Sequence, residues 1–190
     1  MRTARRSALF IVLGLLATGC SSQATSFTEQ PVFRTAAQPG LLQPTAHTST
    51  RLLAAHNRER AAVGVSPLRW DPALAAAAAL YGPALAATGR LQHSARATRP
   101  GQSENLWMGT RGAYSPEQMV GSWAEEKAWF RPGIFPDVSS TGNWLDVSHY
   151  TQMIWRSTTN VGCAVHQSRT SDYLICRYSP SGNKDGQRVP

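Results

Sequence analysis

His149-Tyr150-Thr151-Gln152-Met153-Ile154-Trp155 is the stretch that decides how this chain is read. It joins a titratable ring, three hydrogen-bonding side chains and large apolar groups within two helical turns. Neither a heptad repeat nor a generic amphipathic helix produces that order. Ser148 stands ready as a cap, so the spacing predicts a short helix from His149 to about Trp155. Working outward, His93, Glu104 and Glu126 are the remaining residues that suit a shared polar cleft with His149.

On the C-terminal side, Val161–Gln167 and Tyr173–Tyr178 are β-rich and flank a polar turn centred on Arg169 and Thr170. A symmetric hairpin sets Cys163 opposite Cys176, within disulfide reach. On the N-terminal side, Thr48–Val63 reads as a helix closed by Gly64. Asp71-Pro72 opens a second helix with Asp at the cap and Pro in the first turn. The run Ala73–Ala79 has small side chains suited to close packing on a sheet. Gly82-Pro83 predicts a kink or a split there. Arg90–Tyr114 reads as largely irregular. Ser115-Pro116-Glu117 starts a helix running to about Phe130, and Arg131–Asn143 reads as a surface excursion. Helices come first and strands last, which argues for α+β or an α-β-α sandwich.

The beginning of the chain predicts export. Arg2, Arg5 and Arg6 precede a short apolar core at Leu9–Ala17, and small residues then lead to Cys20. Residues 1–19 read as a lipoprotein signal peptide, with Cys20 the lipidation site and the membrane the partner it implies. The expected address is extracytoplasmic: an anchored lipoprotein of the cell envelope at the outer membrane, or a secreted protein. Residues 20–47 are rich in Ser, Thr, Gln and Pro and read as a flexible tether, followed by one domain over 48–190. Export makes a disulfide the natural reading of Cys163 and Cys176. Without the three N-terminal arginines the formal charge falls from +8 to +5. Neither a Lys/Arg run nor a nucleic-acid-binding motif is present, which argues against nucleic acid as a partner.

In order along the chain, His56-Asn57-x-x-Arg60, Leu68-Arg69-Trp70-Asp71, His93-Ser94, Glu104-Asn105-Leu106, Trp123-Ala124-Glu125-Glu126, His149–Trp155 and Cys176–Asn183 resemble the CAP superfamily. That superfamily comprises the cysteine-rich secretory proteins, antigen 5 and the plant pathogenesis-related proteins of group one. The resemblance implies a three-layer α-β-α sandwich with a central antiparallel sheet. It also implies that His93, Glu104, Glu126 and His149 share the family's central cavity. Lys184 departs from the pattern, standing where an apolar residue is usual.

Two imidazoles with two carboxylates suit Zn2+, with His93 and His149 as ligands and Glu104 and Glu126 supporting them. A plain set of His–Glu hydrogen bonds is the other reading, and both stay open at this point. Binding is the preferred activity. The alternative is a zinc-dependent hydrolase using Glu104 and Glu126 as catalytic groups, although H-E-x-x-H and G-x-S-x-G are both missing from the chain. Trp129, Phe130 and Phe135, in a Pro/Gly-rich stretch, are the candidate groove for a lipid or sterol ligand. His56, Asn57 and Arg60 read as structural, and Asn143 and Trp144 as loop anchors. Tyr150, Thr151 and Gln152 are candidates for setting the His149 tautomer.

Overall fold

The computed structural model describes residues 46–190. The expected signal peptide (1–19), Cys20 and nearly all of the expected tether (20–47) lie outside the described residues. The described residues belong to one compact unit. Among them, no helix is long and apolar enough to cross a membrane.

The elements are α1 (Ala46–Ala62), β1 (Arg69–Trp70), α2 (Pro72–Thr88), β2 (Ser103–Thr110), α3 (Pro116–Ala124), β3 (Gly133–Ile134), α4 (Ser148–Met153), β4 (Asn160–Gln167), β5 (Ser171–Ser179) and β6 (Arg188–Val189). The central sheet has the order β1-β4-β5-β2. Its β4–β5 and β2–β5 pairs are antiparallel, whereas the two-residue edge strand β1 runs parallel to β4. The sheet is therefore mixed at one edge.

Alternation along the strands builds three layers. Val161, Cys163, Leu174, Cys176 and Tyr178 face one way, onto Leu52 and Ala55 of α1, Val120 and Trp123 of α3 and Met153 of α4. Ala164, Tyr173 and Ile175 face the other way, onto Ala78, Ala79 and Leu85 of α2. Both faces are covered, so β5 is buried continuously from Asp172 to Tyr178. The alanines let α2 approach closely. At Gly162 a Cβ would stand 2.3 Å from the Ala75 nitrogen, so the sheet admits no side chain beneath the first turn of α2.

Asp71 caps α2 through Ala73 and Leu74 backbone N–H groups. The helix then runs unbroken through Pro83, contrary to the expected split. Pro83 is exposed, and Gly82 lies against His166, where a Cβ would meet the ring at 2.6 Å. The helix is thus pinned to the sheet on the side opposite to the proline. Ser115 and Gln118 close a capping box on α3. That helix ends at Ala124 and tightens into a 3₁₀ turn, Glu125–Ala128, short of the expected Phe130.

Two further expectations fail. The stretch read as irregular contains β2, paired along its whole length with β5. The stretch read as a surface excursion folds inward: Phe135 and Val138 join Val147, Tyr150, Ile154, Trp155 and Val189 in a third apolar cluster. Pairing of β3 with β6, and the Phe135 N–H bond to the Gln187 carbonyl, hold it there. Cys163 and Cys176 are direct register partners and form the expected disulfide.

Arg60 is 1% exposed and makes no ion pair with a carboxylate among the described residues. Its guanidinium donates to the carbonyls of Ser66 (2.7 Å), Met153 (2.9 Å), Trp155 (2.9 Å) and Thr158 (3.0 Å). Burial, then the charge of Arg156, brings its pKa down to about 10, and it remains a cation at neutral pH. A cation at the C-terminal end of α4 also suits the negative end of the helix dipole. Asn57 makes a reciprocal pair with the Leu68 backbone.

His56 is buried, with Nδ1–H donated to the Leu52 carbonyl and Nε2 accepting from the Tyr178 hydroxyl, both at 2.8 Å. That pairing requires a neutral ring. The structural reading of His56, Asn57 and Arg60 matches these bonds.

Two outcomes are expected. Arg60→Met removes the guanidinium donors from four carbonyls, three of them in buried contacts, and should cost about 3 kcal/mol or more, measured by urea unfolding. Arg60→Lys should not restore it, because an ammonium lacks the planar fork. A methionine variant within about 1 kcal/mol of wild type contradicts this role. Second, burial lowers the His56 pKa to about 4. The unfolded chain therefore takes up the extra proton between the ordinary histidine value and about 4. Stability from this residue is complete above about pH 6.5 and is lost as pH falls toward 4, by about 3 kcal/mol. Unfolding curves from pH 7 to 4 should flatten in His56→Gln; an unchanged slope rules the assignment out.

Candidate functional site

Four elements deliver the four predicted residues. His93 lies in the segment after α2, Glu104 on β2, Glu126 in the 3₁₀ turn after α3, and His149 in the first turn of α4. His93, Glu104 and His149 line one cavity of about 490 Å³. Glu126 stands behind His149. The set is organised as two carboxylate–imidazole pairs.

In the first pair, Glu104 Oε1 accepts from His93 Nδ1 at 2.9 Å and from the Ser94 N–H at 2.9 Å. Its Oε2 accepts from the Ser94 hydroxyl at 2.9 Å and faces Arg177 Nε at 3.0 Å. The Arg177 contact is an ion pair without the alignment of a hydrogen bond. Burial alone raises the Glu104 carboxyl. Hydrogen bonds from His93 and Ser94, with the charge of Arg177, more than offset this and hold it below the usual carboxylate range. Glu104 is thus an anion at neutral pH, and its contribution to stability is lost only as pH falls below that range. Ser94 is 7% exposed and has spent its proton on Glu104, so it is a buttress.

In the second pair, Glu126 Oε1 accepts from His149 Nδ1 at 2.5 Å. Its Oε2 accepts from the backbone N–H groups of His149 (2.9 Å) and Tyr150 (3.0 Å). One carboxylate therefore caps the start of α4 and fixes the ring it carries. Trp123 stacks on that ring at 6.0 Å with an interplanar angle of 11°. Asn105 Nδ2 donates to the His149 carbonyl and to the Tyr178 hydroxyl, tying the cavity to buried His56.

A carboxylate can only accept, so both imidazoles carry their proton on Nδ1 when neutral. Nε2 is left as the basic nitrogen on each ring. The tautomer of His149 is set by Glu126, not by the residues that follow it. Thr151 donates to the Ser148 carbonyl and to Asn183, and Gln152 accepts from the Gly182 N–H at 2.9 Å and from the Ser103 hydroxyl. These bonds fasten α4 to the segment after β5. Asn143 caps its turn through Leu145, as expected of a loop anchor.

The apolar groove is not assembled as predicted. Trp129 is 49% exposed, but Phe130 packs edge-on against Tyr150, and Phe135 is 3% exposed between Trp144 and Trp155. Phe135 is a core residue because the β3–β6 pair turns its loop inward. Among the described residues, the group of three potential metal donors within 4.8 Å of one another is His56, Cys163 and Cys176. Both sulfurs are committed to the disulfide and both His56 nitrogens to hydrogen bonds, so that group offers no lone pair as it stands. The cavity wall also contains Arg96, Arg99 and Gln102, which motif reading passed over, and Lys184, which it noted only as a departure from the family pattern. The spaced arginines Arg90, Arg96 and Arg99 around His93 were the available signal.

Residues 53–178 match the CAP family, described as the cysteine-rich secretory protein family. Pathogenesis-related protein 1A of Nicotiana tabacum is 38% identical over 137 residues, covering 71% of this chain and 76% of the relative. Pathogenesis-related protein 1 of Arabidopsis thaliana is 36% identical over 132 residues, covering 69% and 75%. Among solved structures, NaASP2 with Zn2+ is similar with a TM-score of 0.67 at 23% identity, over 77% of this chain and 86% of that one. BmVAL-1 is similar with a TM-score of 0.63 at 20% identity, over 76% and 82%. The mixed sheet between two helical layers is the α-β-α sandwich of those structures, and the chain belongs to the CAP, or cysteine-rich secretory protein, family.

Proposed function

We propose that this domain is an exported binding module whose cavity takes a divalent metal ion, Zn2+ by the chemistry of its donors. One observation carries the reading. Each imidazole gives its Nδ1 proton to a carboxylate, and neither Nε2 has a hydrogen-bond partner among the described residues, on two rings that line the same cavity. A carboxylate behind a histidine is the arrangement that orients zinc-binding rings and raises their basicity. His93 and His149 would hold the ion, and Glu104 and Glu126 would fix the rings. Bound Zn2+ would supply a Lewis-acidic centre to which a ligand oxygen attaches. The fold relative NaASP2 has been crystallised with Zn2+, which supports that metal as the probe.

Binding is favoured over hydrolysis by how the acids are spent. Glu104 accepts from His93 and Ser94, and Glu126 from His149 and two backbone N–H groups. Neither is left to act as a general base toward water. Export is supported by the N-terminal pattern ending at Cys20, by the disulfide, and by the secretory family. We place the protein outside the cytoplasm on a lipid attached to Cys20.

Calorimetric titration with Zn2+ should give saturable heat for the wild type and none for the His93→Ala, His149→Ala double variant. Glu126→Gln should weaken binding by about 10- to 100-fold. Equal heats for wild type and double variant defeat the proposal. Retention of Cys20→Ser in the membrane fraction of expressing bacteria would separately defeat the lipid anchor.

A further inference from the structure

The cavity wall is cationic in a way the metal reading does not use. Arg96, Arg99 and Lys184 all line it. The one carboxylate among the lining residues, Glu104, is already neutralised by Arg177 at 3.0 Å. The field inside the cavity is therefore positive, and low-dielectric walls concentrate it.

These cations are poised rather than spent. Arg51 and Lys127 are paired with Glu117 and Glu59 on the surface. The side chains of Arg96 and Lys184 have no hydrogen bond or ion pair among the described residues. Arg99 is half-buried, and its guanidinium is oriented by the carbonyls of Ser94 (3.2 Å) and Gln102 (3.0 Å). Those bonds use Nε and one terminal nitrogen, and the other terminal nitrogen keeps its protons for a ligand. A guanidinium held this way loses little freedom on binding an oxyanion.

Two more features narrow the ligand. Gln102 Oε1 is buried without a donor, an acceptor suited to a ligand O–H. Trp144 (37% exposed) and Leu145 (57% exposed) add apolar surface to the same cavity, and Phe135 packs edge-on against Trp144. An aromatic face beside cations and an acceptor matches a sugar ring, whose C–H face packs on the indole while hydroxyls and an acidic group are hydrogen-bonded. A cavity of about 490 Å³ is of the size that small ligands fill.

We propose that this cavity binds a saccharide or polyol carrying a phosphate or carboxylate, with Arg96, Arg99 and Lys184 taking the acidic group. The inference rests on the reading that this cavity is the binding site. It does not require the metal, because its cations are distinct from the two imidazoles.

The test is calorimetry on the full chain, with and without Zn2+, using glucose 6-phosphate, glucuronate and uncharged glucose. The acidic sugars should bind at least tenfold more tightly than glucose, and their affinity should fall as salt rises. Arg96→Gln, Lys184→Gln should lose at least tenfold for the acidic sugars with an unchanged melting temperature, since both side chains lack partners. Arg96→Lys should recover part of that loss. Sedimentation with phosphatidylglycerol and phosphatidylcholine vesicles separates a lipid headgroup source from a free saccharide. Capture by phosphatidylglycerol alone, lost in the double variant, assigns the polyol phosphate to lipid. Acidic sugars that bind no better than glucose overturn the proposal, as does a double variant that binds them like wild type. Persistence in His93→Ala, His149→Ala with zinc heat abolished shows the anion site apart from the metal; loss of zinc heat by itself touches only the earlier reading.

Discussion

The buried guanidinium of Arg60 is the constraint on which the rest of this structure depends. It links α1 to four carbonyls, three of which lie between Met153 and Thr158, just where α4 ends and the chain enters β4. A cation buried without a carboxylate carries a large desolvation cost unless its protons are met. The carbonyls of Ser66, Met153, Trp155 and Thr158 meet it, so each side helps to satisfy the other. The position of α4 on α1 follows, and with it the placement of His149. Function here is set partly from below, by a residue that touches no ligand.

The two acid–imidazole pairs are built from different materials. Glu126 works from the end of a helix layer and caps α4 while gripping its ring. Glu104 works from the sheet, with Arg177 from the neighbouring strand and Ser94 from the loop around it. One imidazole is therefore oriented by the helical layer and the other mainly by the sheet. The cavity lies along the seam where these layers meet, which is why no single segment contains it.

Much of this was legible in the chain itself. Helical spacing located α1 and α4, and caps at Asp71 and Ser115 located α2 and α3, whereas Ser148 lies inside α4 and Glu126 takes the capping role expected of it; the symmetric cysteines fixed the β4–β5 register. The motif set identified the family and the four polar residues. What stayed hidden depended on distant partners. Ser103–Thr110 carries Glu104 and Asn105 at buried positions, so it does not alternate like a strand; their burial is offset by Ser94, Arg177 and Tyr178, none of them local. Phe135 looked like a surface aromatic because the strand that draws its loop inward, β6, is two residues long and lies more than fifty positions later. Pro83 looked like a break because its surroundings, with Gly82 seated on His166, are visible only after folding. The cationic wall was overlooked because its residues come from outside the motifs.

The cross-link between β4 and β5 has a further meaning. Cys163 and Cys176 are fully buried in the sheet face beneath α1 and α3, close to His56. A thiolate must touch a sulfur to exchange with it, and none can reach this one without lifting the helical layer off the sheet. Once made, the bond is shielded by the closed layers. A reducing agent in the medium leaves it intact for as long as the layers stay closed, so its loss would report an opening of the protein rather than the redox state around it.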